Sequence, residues 1–234
     1  MRNVTYSVES VFNEGTQTIV NTVNCVGVMG AGLALEFKLR YPEMFEDYVN
    51  RCQNNKVKIG EPYIYKYDDV WILNFPTKIH WRDKSKLDWI EKGLIYFRDN
   101  YRKMGIQSIA FPKLGTNKGG LKWEEVNKLM KAYLDSIDIP FYICLDTAKS
   151  PKGVEKYMTD YLNNLSLNEL ITEFKIQKNI ARRIVLHVPL KKFRDILFIE
   201  GVGKRTYETL FRSIYIEIKE KEKMYHSQAR ISDF

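Results

Sequence analysis

Ile19 to Arg40 reads I-V-N-T-V-N-C-V-G-V-M-G-A-G-L-A-L-E-F-K-L-R, and the parsing of this stretch decides the fold. It opens as an apolar run, passes Asn21 and Asn24, turns through Gly27, Gly30 and Gly32, and enters a helix. Glycine permits positive φ and close backbone approach. A helix start adds free N–H groups and partial positive charge. Strand, glycine loop and helix start together form a seat for a phosphate or diphosphate. The spacing is G-x-x-G-x-G, neither the dinucleotide nor the P-loop pattern, and the same residues also suit a purely structural turn.

Working outward, residues 1–164 alternate strand-like and helix-like segments. Strands are expected at 4–8, 18–21, 62–67, 70–75, 108–111 and 139–145. Helices are expected at 33–40, 43–54, 87–104, 123–136 and 151–164. Such alternation predicts an α/β sandwich with a largely internal sheet. Ligands of such sheets sit at the carboxyl ends of strands. That rule selects three loops: 21–32, 74–84 and 112–120. The second, N-F-P-T-K-I-H-W-R-D-K-S, places Lys78 just past a strand. The third, P-K-L-G-T-N-K-G-G-L-K-W, is a second glycine loop ahead of a helix. Two glycine loops flanking a lysine loop are far more specific than one.

The totals narrow the class. No run approaches the roughly 20 apolar residues of a membrane helix, and the first residues carry no apolar signal segment. Cys25, Cys52 and Cys144 are an odd, scattered set, which suggests reduced thiols in a cytoplasm. His80, His187 and His226 are scattered too, so no zinc-type cluster and no cofactor is expected. The net charge is +8, and residues 175–212 hold ten basic residues against three acidic ones. A local basic patch is an electrostatic footprint for nucleic acid, and DNA is the expected partner.

Three motifs, N-T-V-N-C-V-G-V-M-G-A-G-L-A-L-E-F-K, N-F-P-T-K-I-H-W-R and L-G-T-N-K-G-G-L-K-W, resemble the macrodomain family. They are similar in particular to the DarG-type antitoxin macrodomain and the terminal ADP-ribose protein glycohydrolase. The resemblance covers roughly residues 1–150 and implies an α/β three-layer macrodomain, a mixed sheet between helices, that binds ADP-ribose. The DarG branch removes ADP-ribose from thymidine bases in DNA. The resemblance implies that Asn24 lies at the distal ribose and that Lys78 and Asn24 are the catalytic pair. It assigns Gly27, Val28, Met29, Gly30 and Gly32 to the first phosphate loop, with Asn21 as a further ligand-binding residue. Gly115, Thr116, Asn117, Gly119 and Gly120 go to the second. His80 and Trp81 stack on a base or support their loop. Two positions depart from the pattern. Ser10 falls where many relatives place an acidic or amide residue for adenine. Gly119 falls where a lysine–aspartate glycohydrolase carries its aspartate.

From Leu165 the composition turns to leucine, serine and basic residues, which predicts a small all-α domain over 165–226. Within it, I-L-F-I-E-G-V-G-K-R-T-Y-E-T-L-F (196–211) resembles a helix-hairpin-helix motif, with Gly201, Gly203, Lys204 and Arg205 as contacts for a DNA phosphate. The last residues, 227–234, form a tail. There Gln228, Ile231 and Phe234 are similar to the peptide that binds the sliding clamp, PCNA.

Three readings stand on the sequence. The first is a DNA-directed ADP-ribosyl glycohydrolase. The second is a repair glycosylase that puts the macro fold to work on a damaged or deaminated base. The third is a non-catalytic module that binds ADP-ribose and DNA. Lys78 is central to the first two and dispensable in the third.

Overall fold

The computed structural model describes residues 4–67 and 69–232, with side chains described as far as residue 221. The chain divides into two compact units, Met1–Ala148 and Lys149–Phe234.

The first unit holds six strands: β1 (Thr5–Ser7), β2 (Thr18–Asn24), β3 (Tyr63–Lys66), β4 (Trp71–Lys78), β5 (Ile109–Pro112) and β6 (Phe141–Cys144). Their order across the sheet is β1-β6-β5-β2-β4-β3. Every pairing is parallel except β3 with β4. Successive residues of the inner strands enter opposite cores. Ile19 and Val23 of β2 pack with Phe37, Met44 and Tyr48, from α1 (Gly32–Arg40) and α2 (Pro42–Gln53). Val20 packs with Ile90, Leu94, Phe97, Val126 and Met130, from α3 (Leu87–Met104) and α4 (Trp123–Leu134). A strand buried on both faces reads as a continuous apolar run. This is the three-layer arrangement that the resemblance implies.

Local chemistry sets the helix ends. α1 stops at Arg40 because Tyr41 precedes a proline, and α2 starts with Pro42 at its first position, where a missing N–H costs nothing. α3 ends on Gly105, whose φ of +79° lets its N–H reach back to Arg102 and Tyr101. Gly93 marks the closest approach of α3 to the sheet, since a Cβ there would lie 2.3 Å from Cζ of Phe75.

Two strands run further than the sequence pattern indicates. β2 continues past Asn21 to Asn24, and β4 continues past Phe75 to Lys78. Pro76 cannot donate to a ladder, which is why its run reads as ended at Phe75. The sheet accommodates it with a bulge: Val23 pairs with Pro76 and Asn24 with Lys78, leaving Thr77 as the extra residue. Lys78 is therefore the last residue of a strand and not a loop residue.

The second unit is helical among the described residues: α5 (Gly153–Asn164), α6 (Leu167–Thr172), α7 (Lys178–His187), a 3₁₀ turn (Phe193–Phe198) and α8 (Lys204–Ser232). A capping box at Ser166 and Glu169 starts α6. Phe193 makes edge-on contacts with Tyr207 and Phe211, at ring-centroid distances of 5.8 and 5.5 Å. The division falls ahead of the expected break at 164/165. The helix read as closing the first domain packs on α8 instead, with Tyr161 Oη donating to Glu217 Oε2 at 2.7 Å. The side chains of Gln228 and Ile231, and Phe234 entirely, lie outside the described residues.

Candidate active site

The parallel pairing of β2 with β4 and β5 carries the three selected loops to one edge of the sheet. Asn24 and Lys78 end their strands as direct neighbours in register. The next residues keep the loops together, with Cys25 N–H donating to Ile79 O at 2.9 Å.

The first loop is built around the Asn24 side chain. Its Oδ1 accepts from Val26 N–H (3.0 Å) and Val28 N–H (3.3 Å), and its Nδ2 donates to Val28 O (2.5 Å). Tyr48 Oη donates to the Asn24 carbonyl at 2.8 Å and lies 3.0 Å from Asn24 Oδ1. The amide read as a ribose contact is thus committed to the backbone of its own loop. Gly27 and Gly32 adopt φ of +81° and +57°, so the glycines follow from backbone conformation. The loop delivers the chain to α1, whose first residue carries no side-chain cap. Its leading N–H groups are the donors that an anion takes up at a helix start.

Two of the selected residues point elsewhere. The Met29 side chain is buried in the α1/α2 core. Asn21 is fully buried in mid-strand, where its Nδ2 donates to Asn74 Oδ1 at 2.9 Å. Both brace the loop from below. Ser10 caps a short 3₁₀ turn, its Oγ accepting from Phe12 N–H at 3.3 Å.

The second glycine loop folds over a 3₁₀ turn, Asn117–Gly119. Gly115 and Gly120 take φ of +63° and +77°, and Thr116 Oγ1 donates to Lys113 O at 3.0 Å. Ser85 N–H donates to Gly119 O at 2.9 Å, tying the lysine loop to it. Lys78 Nζ donates to the carbonyl of Lys118 in the same loop. Gly119 has no room for a side chain: a Cβ would lie 2.6 Å from Ser85 Oγ and 3.9 Å from Lys78 Cε. A side chain at this position would have to displace the Ser85 hydroxyl, which occupies that neighbourhood. Ser85 is buried, and its Oγ has no partner among the described residues.

The electrostatics single out Lys78. Burial is the main cause that lowers its pKa from the ordinary 10.5, Lys118 lowers it further, and Asp83 opposes them. The thiol beside it in the first loop goes the other way: burial and Cys52 push Cys25 up to about 11, which leaves it protonated and inert at neutral pH. His80 and Trp81 follow Lys78 on a turn closed by Asp83, whose N–H donates to His80 O at 3.0 Å.

The structure also identifies residues that periodicity could not. Tyr48 reads as a core residue of α2, and only the fold shows its hydroxyl beneath Asn24. Asn74 and Ser85 carry no local signal beyond their polarity. In the second unit Gly201 turns at φ +83°, and a Cβ there would lie 2.9 Å from Ile180 Cδ1 and 3.1 Å from Arg183 Nη1. Val202 is buried, while Gly203, Lys204 and Arg205 are exposed where α8 begins.

The family profile described as Macro domain matches residues 20–130. A Mycobacterium tuberculosis protein described as a DNA ADP-ribosyl glycohydrolase is 42% identical over 159 residues, covering 65% of this chain and 45% of that protein. The solved macrodomain of Mycobacterium tuberculosis DarG is 44% identical, covers 61% of this chain and 97% of its own, and superposes with a TM-score of 0.57. The Thermosipho africanus DarTG structure, solved in complex with ADP-ribose, is 37% identical over 62% of this chain and 42% of its own, with a TM-score of 0.60. The chain spans less than half the length of the Mycobacterium tuberculosis relative.

Proposed function

Because the chain belongs to the macrodomain family, we propose that its first unit hydrolyses the glycosidic bond joining ADP-ribose to a DNA base, with thymidine the favoured base. The observation that carries the proposal is the register of Asn24 against Lys78 between two glycine loops. The names of the relatives, DNA ADP-ribosyl glycohydrolase and a DarTG complex with ADP-ribose, support it.

In this reading the backbone N–H groups of Gly30 and Gly32 take one phosphate at the start of α1. The loop 115–120 takes the other. Asn24 holds the first loop in the shape that receives the diphosphate and the distal ribose. Lys78 acts at the anomeric carbon. Burial lowers its pKa and so eases loss of the proton, and the neutral amine is the form that serves as a nucleophile. The protonated form would instead stabilise the leaving base as it gains charge. Ser85 Oγ stands beside it as a further hydrogen-bonding group of the site.

The second unit supplies a DNA anchor of helix-hairpin-helix type. The Gly201–Gly203 turn leads into α8, whose first main-chain N–H groups would meet a phosphate beside exposed Lys204 and Arg205. Such contacts hold a phosphate without reading sequence. The reduced cysteines are in keeping with a cytoplasmic setting. Among the described residues no helix is long and apolar enough to cross a membrane.

The test is incubation of the full chain with three oligonucleotides carrying ADP-ribosyl-thymidine, uracil or hypoxanthine. Release of ADP-ribose from the first alone is the expected result. An abasic product from either of the others supports the repair glycosylase. Binding of the first without release supports the non-catalytic module.

A further inference from the structure

In the second unit, the 3₁₀ turn Phe193–Phe198 leads straight to the Gly201–Gly203 turn. A 3₁₀ turn brings every third residue to one face. Phe193, Ile196 and Ile199 take the inward positions and are buried. The outward positions of such a turn ordinarily carry polar residues, yet Leu197 is 42% exposed and Phe198 is 86% exposed. The neighbouring helix repeats the pattern. Ala181 and Ile184 of α7 are buried, whereas Leu186 is 80% exposed, one helical turn beyond exposed Arg182. The two elements meet, because Arg183 Nη1 donates to Glu200 O at 2.8 Å. The field around them is positive, with ten basic residues against three acidic ones over 175–212. Each of those acids has a local partner: Glu200 lies 3.4 Å from Arg183, Glu208 lies 3.9 Å from Lys204, and Asp195 Oδ2 accepts from Lys192 N–H at 2.9 Å.

A bare phenyl ring set in an excess of cations suits a polyanion that also offers flat apolar faces. A second copy of this chain is disfavoured there, because it would bring the same positive charge against itself. Unpaired DNA meets both demands: its bases stack on aromatic side chains while cations follow its phosphates. A duplex hides those faces in its own stack, and a wedge must first open a step. Phe198 is three residues from Gly201, so their Cα atoms are at most about 11 Å apart, within a few nucleotide steps of a phosphate held at the start of α8. We propose that Phe198, flanked by Leu197, is a stacking site for an unpaired DNA base next to that phosphate. This rests on the helix-hairpin-helix reading of the second unit and names single-stranded DNA as its ligand.

Full-length protein is compared with Phe198→Ala, Phe198→Trp and the double variant Lys204→Ala, Arg205→Ala by fluorescence anisotropy. Three unmodified probes are used: a single-stranded oligonucleotide, its duplex, and a strand of the same length made of abasic sites. Any contact made by the first unit is common to all four proteins. Phe198→Ala should weaken binding of the single strand by roughly tenfold, the loss of one stacked base, and leave the abasic strand and the dependence of affinity on salt unchanged. Phe198→Trp should keep the wild-type affinity. An unchanged single-strand affinity in Phe198→Ala, equal losses on the single and abasic strands, or a larger loss on the duplex would overturn the stacking site. So would sedimentation in which Phe198→Ala turns a wild-type dimer into a monomer, because the face then belongs to a second copy. The double variant should weaken all three probes and flatten their salt dependence. If it changes none of them, the phosphate anchor fails by itself. The stacking site is then decided by Phe198→Ala on the single strand against the abasic strand.

Discussion

Replacing Asn24 by alanine removes three hydrogen bonds to the first glycine loop, from Val26 N–H, from Val28 N–H and to Val28 O. Each such bond contributes about 1 kcal/mol net, so with Val26 and Val28 themselves exposed to water the change destabilises the loop by at most about 3 kcal/mol. Much of that cost falls on the loop shape that receives the diphosphate. ADP-ribose should bind roughly a hundredfold more weakly, since every 1.4 kcal/mol is about tenfold. In thermal unfolding the first unit should melt several degrees lower, about 2–4 °C for each kcal/mol at this size. Asn24→Asp sharpens the argument. It keeps an acceptor for the two N–H groups but turns an oxygen toward Val28 O in place of a donor. Calorimetric titration of ADP-ribose into both variants measures the effect. The account expects Asn24→Asp to lie between wild type and Asn24→Ala in melting temperature. If Asn24→Ala binds ADP-ribose as tightly as wild type and melts at the same temperature, the side chain does not shape the loop.

Three further outcomes follow from the geometry. Gly93→Ala places a methyl group 2.3 Å from the Phe75 ring; overpacking of about 1–3 kcal/mol outweighs the helix-propensity gain of about 1 kcal/mol, so chemical denaturation should show a net loss of stability. Gly119→Ala meets Ser85 Oγ at 2.6 Å, and the double variant with Ser85→Gly should recover stability, giving a coupling above about 0.5 kcal/mol in a double-mutant cycle; additivity would show that the two residues do not meet. The pH profile of turnover decides the role of Lys78. Because its pKa is lowered below 10.5, the neutral amine persists to lower pH than in a free lysine. A nucleophilic role gives activity that rises with pH through the lowered pKa, whereas a protonated role gives activity that falls through it.

Much of this arrangement is legible in the residues because glycines and strand ends leave strong local marks. Gly27, Gly32, Gly115 and Gly120 all take positive φ, and the carboxyl-end rule brings their loops to one sheet edge. The signal weakens where a residue's role is set by a neighbour distant in sequence. Asn24 looks like a ligand contact, yet its amide is fixed by Val26, Val28 and Tyr48, and the hydroxyl of Tyr48 reaches it from the second helix. β4 reads as stopping at Phe75 because proline breaks the donor pattern. Only the bulge opposite Val23 shows how the strand carries on to Lys78. Ser85 is one serine in a lysine-rich loop until Gly119 packs against it. The division between the compact units at 148/149 differs from the 164/165 break read from composition for a similar reason. The amphipathic pattern of 153–164 states that a helix has an apolar face and does not say which core receives it, and here α8 does.

The central claim is that Lys78 performs chemistry between the two glycine loops. Its most direct test is a single-turnover assay of wild type and Lys78→Ala on an ADP-ribosyl-thymidine oligonucleotide, with ADP-ribose affinity measured on the same preparations. The account predicts that Lys78→Ala still binds ADP-ribose and releases it from DNA at least a hundredfold more slowly, about 2.7 kcal/mol of lost transition-state stabilisation. Release by Lys78→Ala at the wild-type rate would contradict it.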